Sequence, residues 1–176
     1  MLKLHMLKIT EILLLLLLLN LNLDAKEPLL GILTSVNSNE VQSFNISKFN
    51  LTCRPYGVLT LERLYAISDD GSVCKEKIES IYAKYPDLKY FAQRLLKRQQ
   101  RYHFVPKEKG ECVLYAKGQM TLSELLLAKG LALVKPLFDD EEFRDDFNVA
   151  QRKASLEKRG LWEKDIFEIC AAKLYE

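Results

Sequence analysis

The order of its elements places this chain in the α+β class, with short strands first and helices inserted among and after them instead of alternating with single strands. Three observations predict this. Strand-like runs flank a polar turn near the front, a second pair flanks the turn PKEKG, and three later stretches carry apolar residues at helical spacing. At 176 residues, 48% hydrophobic and 28% charged, the chain fits one domain plus a short segment. No internal repeat or long linker divides it, so the domain runs over 26–176.

The short segment is residues 1–25. Lys3 and Lys8 precede the apolar run Ile12 to Leu19, and Leu23-Asp24-Ala25 supplies a small-residue end, which are the three parts of a secretory signal peptide. Asn20 and Asn22 interrupt the run well short of the ~20 residues that span a bilayer. Cleavage and a secreted or periplasmic protein are therefore expected, with an uncleaved N-terminal anchor as the alternative. Export lets the four cysteines, Cys53, Cys74, Cys112 and Cys170, pair. None has the CxxC spacing of a zinc site, so two disulfides are expected, and all three connectivities stay open.

Within the domain, GILTSV (31–36) and EVQSFNI (40–46) read as strands around Asn37-Ser38-Asn39. A third strand is expected from Leu51 through VLTLERLYAI (58–67), with Pro55 and Gly57 forcing a bulge or an edge position at its beginning. SDDGSVCKEK (68–77) has the composition of a loop. Pro86 opens a helix whose apolar face is Leu88, Phe91, Ala92, Leu95 and Leu96. YHFV (102–105) and CVLYA (112–116) are strands. Thr121 and Glu124 form a capping box for a second helix, which Gly130 ends, and LALV (131–134) is extended. The last helix starts in the acidic turn DDEE (139–142), buries Phe143, Phe147, Ala150 and Ala154, and stops at Gly160.

Charge excludes little, because the formal net value is only +2, and loss of Lys3, Lys8, Glu11 and Asp24 with the signal leaves it unchanged. Its distribution says more. RLLKRQQRYHF (94–104) holds Arg94, Lys97, Arg98, Arg101 and His103 with no acid, either a phosphate-binding surface or the solvated side of a helix and strand. His103 is the only histidine after the signal, and no serine or cysteine has an evident base, so a hydrolytic triad is not expected. Tyr85, Tyr102 and Tyr115 are candidates for stacking on bases.

The segments LYAKGQMTLSELLLAKGLALV (114–134) and AQRKASLEKRGLW (150–162) resemble the staphylococcal nuclease-like (thermonuclease) domains, in which a helix closes on Gly-Leu-Ala and a final helix ends near Gly-Leu-Trp. The resemblance implies a five-stranded OB-like β-barrel with three α-helices. It also implies a monomeric nuclease acting on DNA and/or RNA. In TCRPYGVLTLE (52–62) it aligns Arg54, Val58, Thr60 and Glu62 with the family's arginine, strand and catalytic glutamate, and it puts Lys109 where a second arginine is expected. A shifted register would use Arg63, but no glutamate follows that residue at the right distance.

A divalent cation, Ca2+, is implied by the same resemblance, with Asn39 and Thr60 at ligand positions. Leu59 stands where an aspartate is expected, so recruitment of Glu40, Asp69 or Asp70 is the alternative arrangement. Arg54, Glu62 and Lys109 are thus the expected catalytic residues, a carboxylate for water and cations for phosphate. Lys109 lacks the bidentate fork of arginine. The rival expectation is an exported OB-fold module that binds nucleic acid without cutting it, and a third is a disulfide-stapled envelope protein with no nucleic-acid role.

Overall fold

The computed structural model describes residues 27–175, so the signal peptide expected over residues 1–25 lies outside it. Period-two alternation builds the front of the domain. β1 (Leu29–Val36), β2 (Gln42–Ile46) and β3 (Phe49–Pro55) form an antiparallel meander that turns Leu33, Phe44 and Cys53 inward. A short β4 (Val58–Thr60) leaves this sheet. β5 (Arg101–Pro106) pairs with the other edge of β1, and β6 (Glu111–Lys117) pairs with β5. β6 then meets β3 in parallel, Arg54 opposite Glu111 and Pro55 opposite Cys112, which closes a five-stranded barrel and removes its free edges. β7 (Met120–Thr121) extends the β6 hairpin, and β8 (Ala132–Val134) pairs with β4.

Inside the barrel Phe44 and Phe104 stack with ring centroids 5.0 Å apart, both with no exposed surface. The disulfide Cys53–Cys112 joins the two closing strands, and Cys74–Cys170 joins two helices, which resolves the connectivity.

The α+β class and the barrel agree with expectation, but the described residues hold seven α-helices where three were expected: α1 (Leu61–Ile67), α2 (Val73–Lys84), α3 (Pro86–Lys89), α4 (Phe91–Leu95), α5 (Leu122–Ala128), α6 (Arg144–Leu156) and α7 (Ile166–Cys170). Four changes account for the difference, the last of them a break in the helix expected from Pro86. The expected third strand stops at Pro55, and LERLYAI is α1, because the Thr60 hydroxyl accepts from the Arg63 N–H at 3.1 Å and Leu61 and Leu64 are buried one turn apart. The expected loop over 68–77 gives way at Ser72, which caps α2 through the Lys75 N–H, while Cys74, Ile78 and Ile81 bury at i, i+4 and i+7. α7 was not anticipated.

The helix expected from Pro86 is broken at Tyr90 into α3 and α4. Asn39 causes the break. Its Oδ1 accepts from the Ala92 N–H at 2.8 Å and its Nδ2 donates to the Leu88 carbonyl at 3.0 Å, so one carboxamide occupies both ends of what would be a helical hydrogen bond. The expected α5 capping box is present, with Thr121 N–H to Glu124 at 2.6 Å and Glu124 N–H to Thr121 at 3.1 Å.

The two glycine motifs meet back to back. Gly130 (φ +67°) and Gly160 (φ +53°) pack so closely that a Cβ on Gly130 would lie 2.1 Å from the Arg159 oxygen, and one on Gly160 2.3 Å from the Gly130 oxygen. The Leu161 N–H donates to the Gly130 carbonyl at 2.8 Å, locking the end of α5 to the turn after α6.

Candidate active site

The closure of the barrel brings a carboxylate and two arginines together, but the carboxylate is Glu40. Its turn, between β1 and β2, lies against the end of β3 and the start of α1. Glu40 Oε2 accepts from the Thr60 hydroxyl at 2.6 Å, and Oε1 lies 3.7 Å from Arg54 Nε. Its side chain is 14% exposed and that of Arg54 46%. The Arg54 terminal nitrogens have no hydrogen bond or ion pair among the described residues, so its fork is open to solvent. Burial pushes the Glu40 carboxyl above the ordinary glutamate range. The Thr60 hydrogen bond and the Arg54 and Arg63 charges oppose that rise, and the charge of Glu111 adds to it.

Thr60 is wholly buried and its hydroxyl is committed twice, as acceptor from Arg63 N–H and donor to Glu40. Arg63, set aside in the sequence because no glutamate followed it, lies in the first turn of α1, where its charge acts on Glu40.

Glu62 faces inward. Asn39 Nδ2 donates to its Oε1 at 2.8 Å, while Oε2 is buried beside the Tyr82 hydroxyl, and neither of those two oxygens has an aligned partner. Burial raises the Glu62 carboxyl, and desolvation with the neighbouring Glu62 charge raises the Tyr82 hydroxyl. A carboxylate enclosed in this way does not meet Arg54, whose partner is Glu40.

The expected cation ligands do not fit. Asn39 has no exposed surface, and its carboxamide is spent on Ala92, Leu88 and Glu62. The Thr60 hydroxyl is spent as well, and Leu59 offers no oxygen from its side chain. Asp69 and Asp70 follow the far end of α1 from Thr60, with Asp70 paired to Lys75. Neither joins Glu40.

Lys109 sits in the turn Glu108–Gly110 at φ +55°, exposed, two residues before the Glu111 that opposes Arg54. It lines an open cavity of about 820 Å³ with Lys107, Tyr115 and Phe138 among others. Lys107 Nζ is 3.2 Å from Asp140 Oδ2 and 4.7 Å from the Tyr56 ring centre, and the Tyr56 hydroxyl donates to the same oxygen at 2.9 Å. Glu111 connects cavity and cluster: it pairs with Lys135, accepts from the Gly57 N–H at 3.2 Å, and its charge reaches Glu40.

Arg54, Thr60 and Lys109 therefore lie around the closure of β3 on β6, while Glu62 and Asn39 turn inward. The sequence named Glu40 only as an alternative cation ligand, because its contacts with Arg54 and Thr60, fourteen and twenty residues away in the chain, leave no local signature. No model of a known protein family matches the chain, and no curated protein matches it.

Proposed function

We propose that the chain is an exported phosphodiesterase that cleaves nucleic acid at the Glu40–Arg54 cluster. The carrying observation is a largely buried carboxylate held by the Thr60 hydroxyl beside a half-exposed arginine whose fork is unoccupied. Arg54 would bind two non-bridging phosphate oxygens, and Arg63 and Lys109 would add positive field. Glu40 takes a proton from water as its oxygen attacks phosphorus. The phosphorus–oxygen bond to the leaving nucleoside breaks, and that oxygen takes a proton from solvent. A raised carboxyl suits a general base better than an ordinary glutamate. No step is routed through a metal ion, since the Asn39 carboxamide and the Thr60 hydroxyl are already committed to protein partners. Two disulfides support an exported setting.

The test is cleavage of plasmid DNA and labelled RNA by the mature protein, with calcium, magnesium or manganese and with chelator. Glu40→Gln is expected to lose at least about 100-fold in rate. Glu62→Gln is expected to stay within a few-fold of the parent. Full activity of folded Glu40→Gln and Arg54→Ala proteins would remove the assignment.

A second reading, binding without cleavage, draws on the enclosure of Glu62, the carboxylate that the family resemblance assigns to catalysis. It predicts salt-sensitive binding of DNA and RNA that stay intact under every ion condition.

A further inference from the structure

The basic run that the sequence singled out does not join the Glu40–Arg54 cluster. We infer that Lys97, Arg98, Arg101 and His103 form a second contact surface for the phosphate backbone of a polymeric nucleic acid, an inference that rests on the phosphodiesterase reading for its substrate.

All four side chains are exposed, and none of them lies within ion-pair distance of a carboxylate among the described residues. Arg94, the fifth member of the run, is excluded because it pairs with Asp87. The strand residues that flank the surface are uncharged: Arg101 lies opposite Ile32 and His103 opposite Leu30, and Ile32 is in turn opposite Asn45. Three exposed cations with no carboxylate in ion-pair distance among the described residues, and His103 beside them, hold a local positive potential that the net charge of +2 conceals.

The surface is also rigid. The Gln99 N–H donates to the Leu33 carbonyl at 2.8 Å, and the Leu33 N–H donates to the Gln100 carbonyl at 2.9 Å, so the turn is strapped to β1. The Lys97 N–H donates to the Tyr102 hydroxyl at 2.8 Å, which pins the turn to β5 as well. Tyr102 is thus committed to holding the turn rather than presented to a base.

Strand β1 relates this surface to the cluster. Arg101 lies beside Ile32, and four residues further on β1 ends at Val36, just before the turn that carries Glu40. That stretch of strand measures about 13 Å. It corresponds to roughly four nucleotides at the rise of one duplex strand. A chain bound at Arg54 would have to extend beyond that length to reach the second surface, so the surface favours polymers over small diesters.

The test compares the parent with a Lys97→Ala, Arg98→Ala, Arg101→Ala triple variant, whose retained fold is checked by thermal melting. Cleavage is measured on a 30-nucleotide DNA and on bis(p-nitrophenyl) phosphate, which is too small to span the two places. KM for the 30-mer is expected to rise at least tenfold with kcat unchanged, and hydrolysis of the small diester to stay the same. Binding of the same 30-mer is followed by fluorescence anisotropy across salt in a Glu40→Gln background, so that the probe stays whole. The slope of log affinity against log salt is expected to become shallower by about two, at ~0.7 for each of the three lost single-strand contacts. An unchanged affinity and slope would overturn the inference, as would loss of binding to phosphatidylglycerol vesicles with none to DNA. Should the parent cleave neither substrate while the triple variant still loses DNA binding, the phosphodiesterase reading fails and the second surface stands.

Discussion

Two glutamates that look alike in the sequence have opposite surroundings. Glu40 keeps one edge beside an exposed arginine, whereas Glu62 is enclosed with Asn39 and Tyr82. The enclosure has a consequence for stability. Because burial raises the folded-state value of Glu62 above its unfolded one, its contribution is fully present below the unfolded glutamate range and is lost as pH rises through the folded value. Glu62→Gln removes that loss, and its amide can donate to the unpartnered Tyr82 hydroxyl. Its melting temperature relative to the parent is therefore expected to increase from pH 4 to pH 8, with a gain of about 1 kcal/mol at the upper end. Melting curves across that range check this, and a parent that gains on the variant with rising pH would contradict it.

At the scale of elements, the contacts that organise the domain are made by small residues. Asn39 breaks the helix after Pro86 into α3 and α4 by taking both partners of one helical hydrogen bond. Asn39→Ala leaves the Ala92 N–H, the Leu88 carbonyl and Glu62 without that partner, and a loss of at least about 3 kcal/mol in urea unfolding is expected. Gly130 and Gly160 join α5 to the turn after α6 through a backbone approach that no Cβ can enter. Gly130→Ala is expected to cost a similar amount, whereas Gly118→Ala, at a positive φ with open space around it, should cost about 1 kcal/mol. Equal costs at the two glycines would show that backbone conformation, not the close approach, sets the penalty.

For the whole molecule, two covalent links bound the barrel and its helical flank. Cys53–Cys112 lies across the parallel closure of β3 on β6, the pairing that also sets Arg54 opposite Glu111, and Cys74–Cys170 ties α2 to α7. Replacing Cys53 and Cys112 by alanine is expected to lower stability by about 2–5 kcal/mol. DNA cleavage should fall with it, since the closure positions the cluster; replacing Cys74 and Cys170 should lower stability with less effect on cleavage. Chemical denaturation and the plasmid assay, run on both double variants, separate the two roles.

Local pattern determined much of this protein by itself. Alternation around Asn37-Ser38-Asn39 marked the first two strands, the Thr121–Glu124 box marked α5, and the spacing of Phe143, Phe147, Ala150 and Ala154 marked α6, because each signal lies within a few residues of what it shapes. The caps at Thr60 and Ser72 were equally local, yet polar composition and a strand-like run hid them. Tertiary structure alone decided the disulfide pairing, the inward turn of Asn39 and Glu62, and the meeting of Glu40 with Arg54 and Thr60. Those outcomes depend on barrel closure and on the packing of helices on the barrel, which bring residues far apart in the chain into contact, and no local periodicity encodes which of two glutamates is left facing the solvent-exposed arginine.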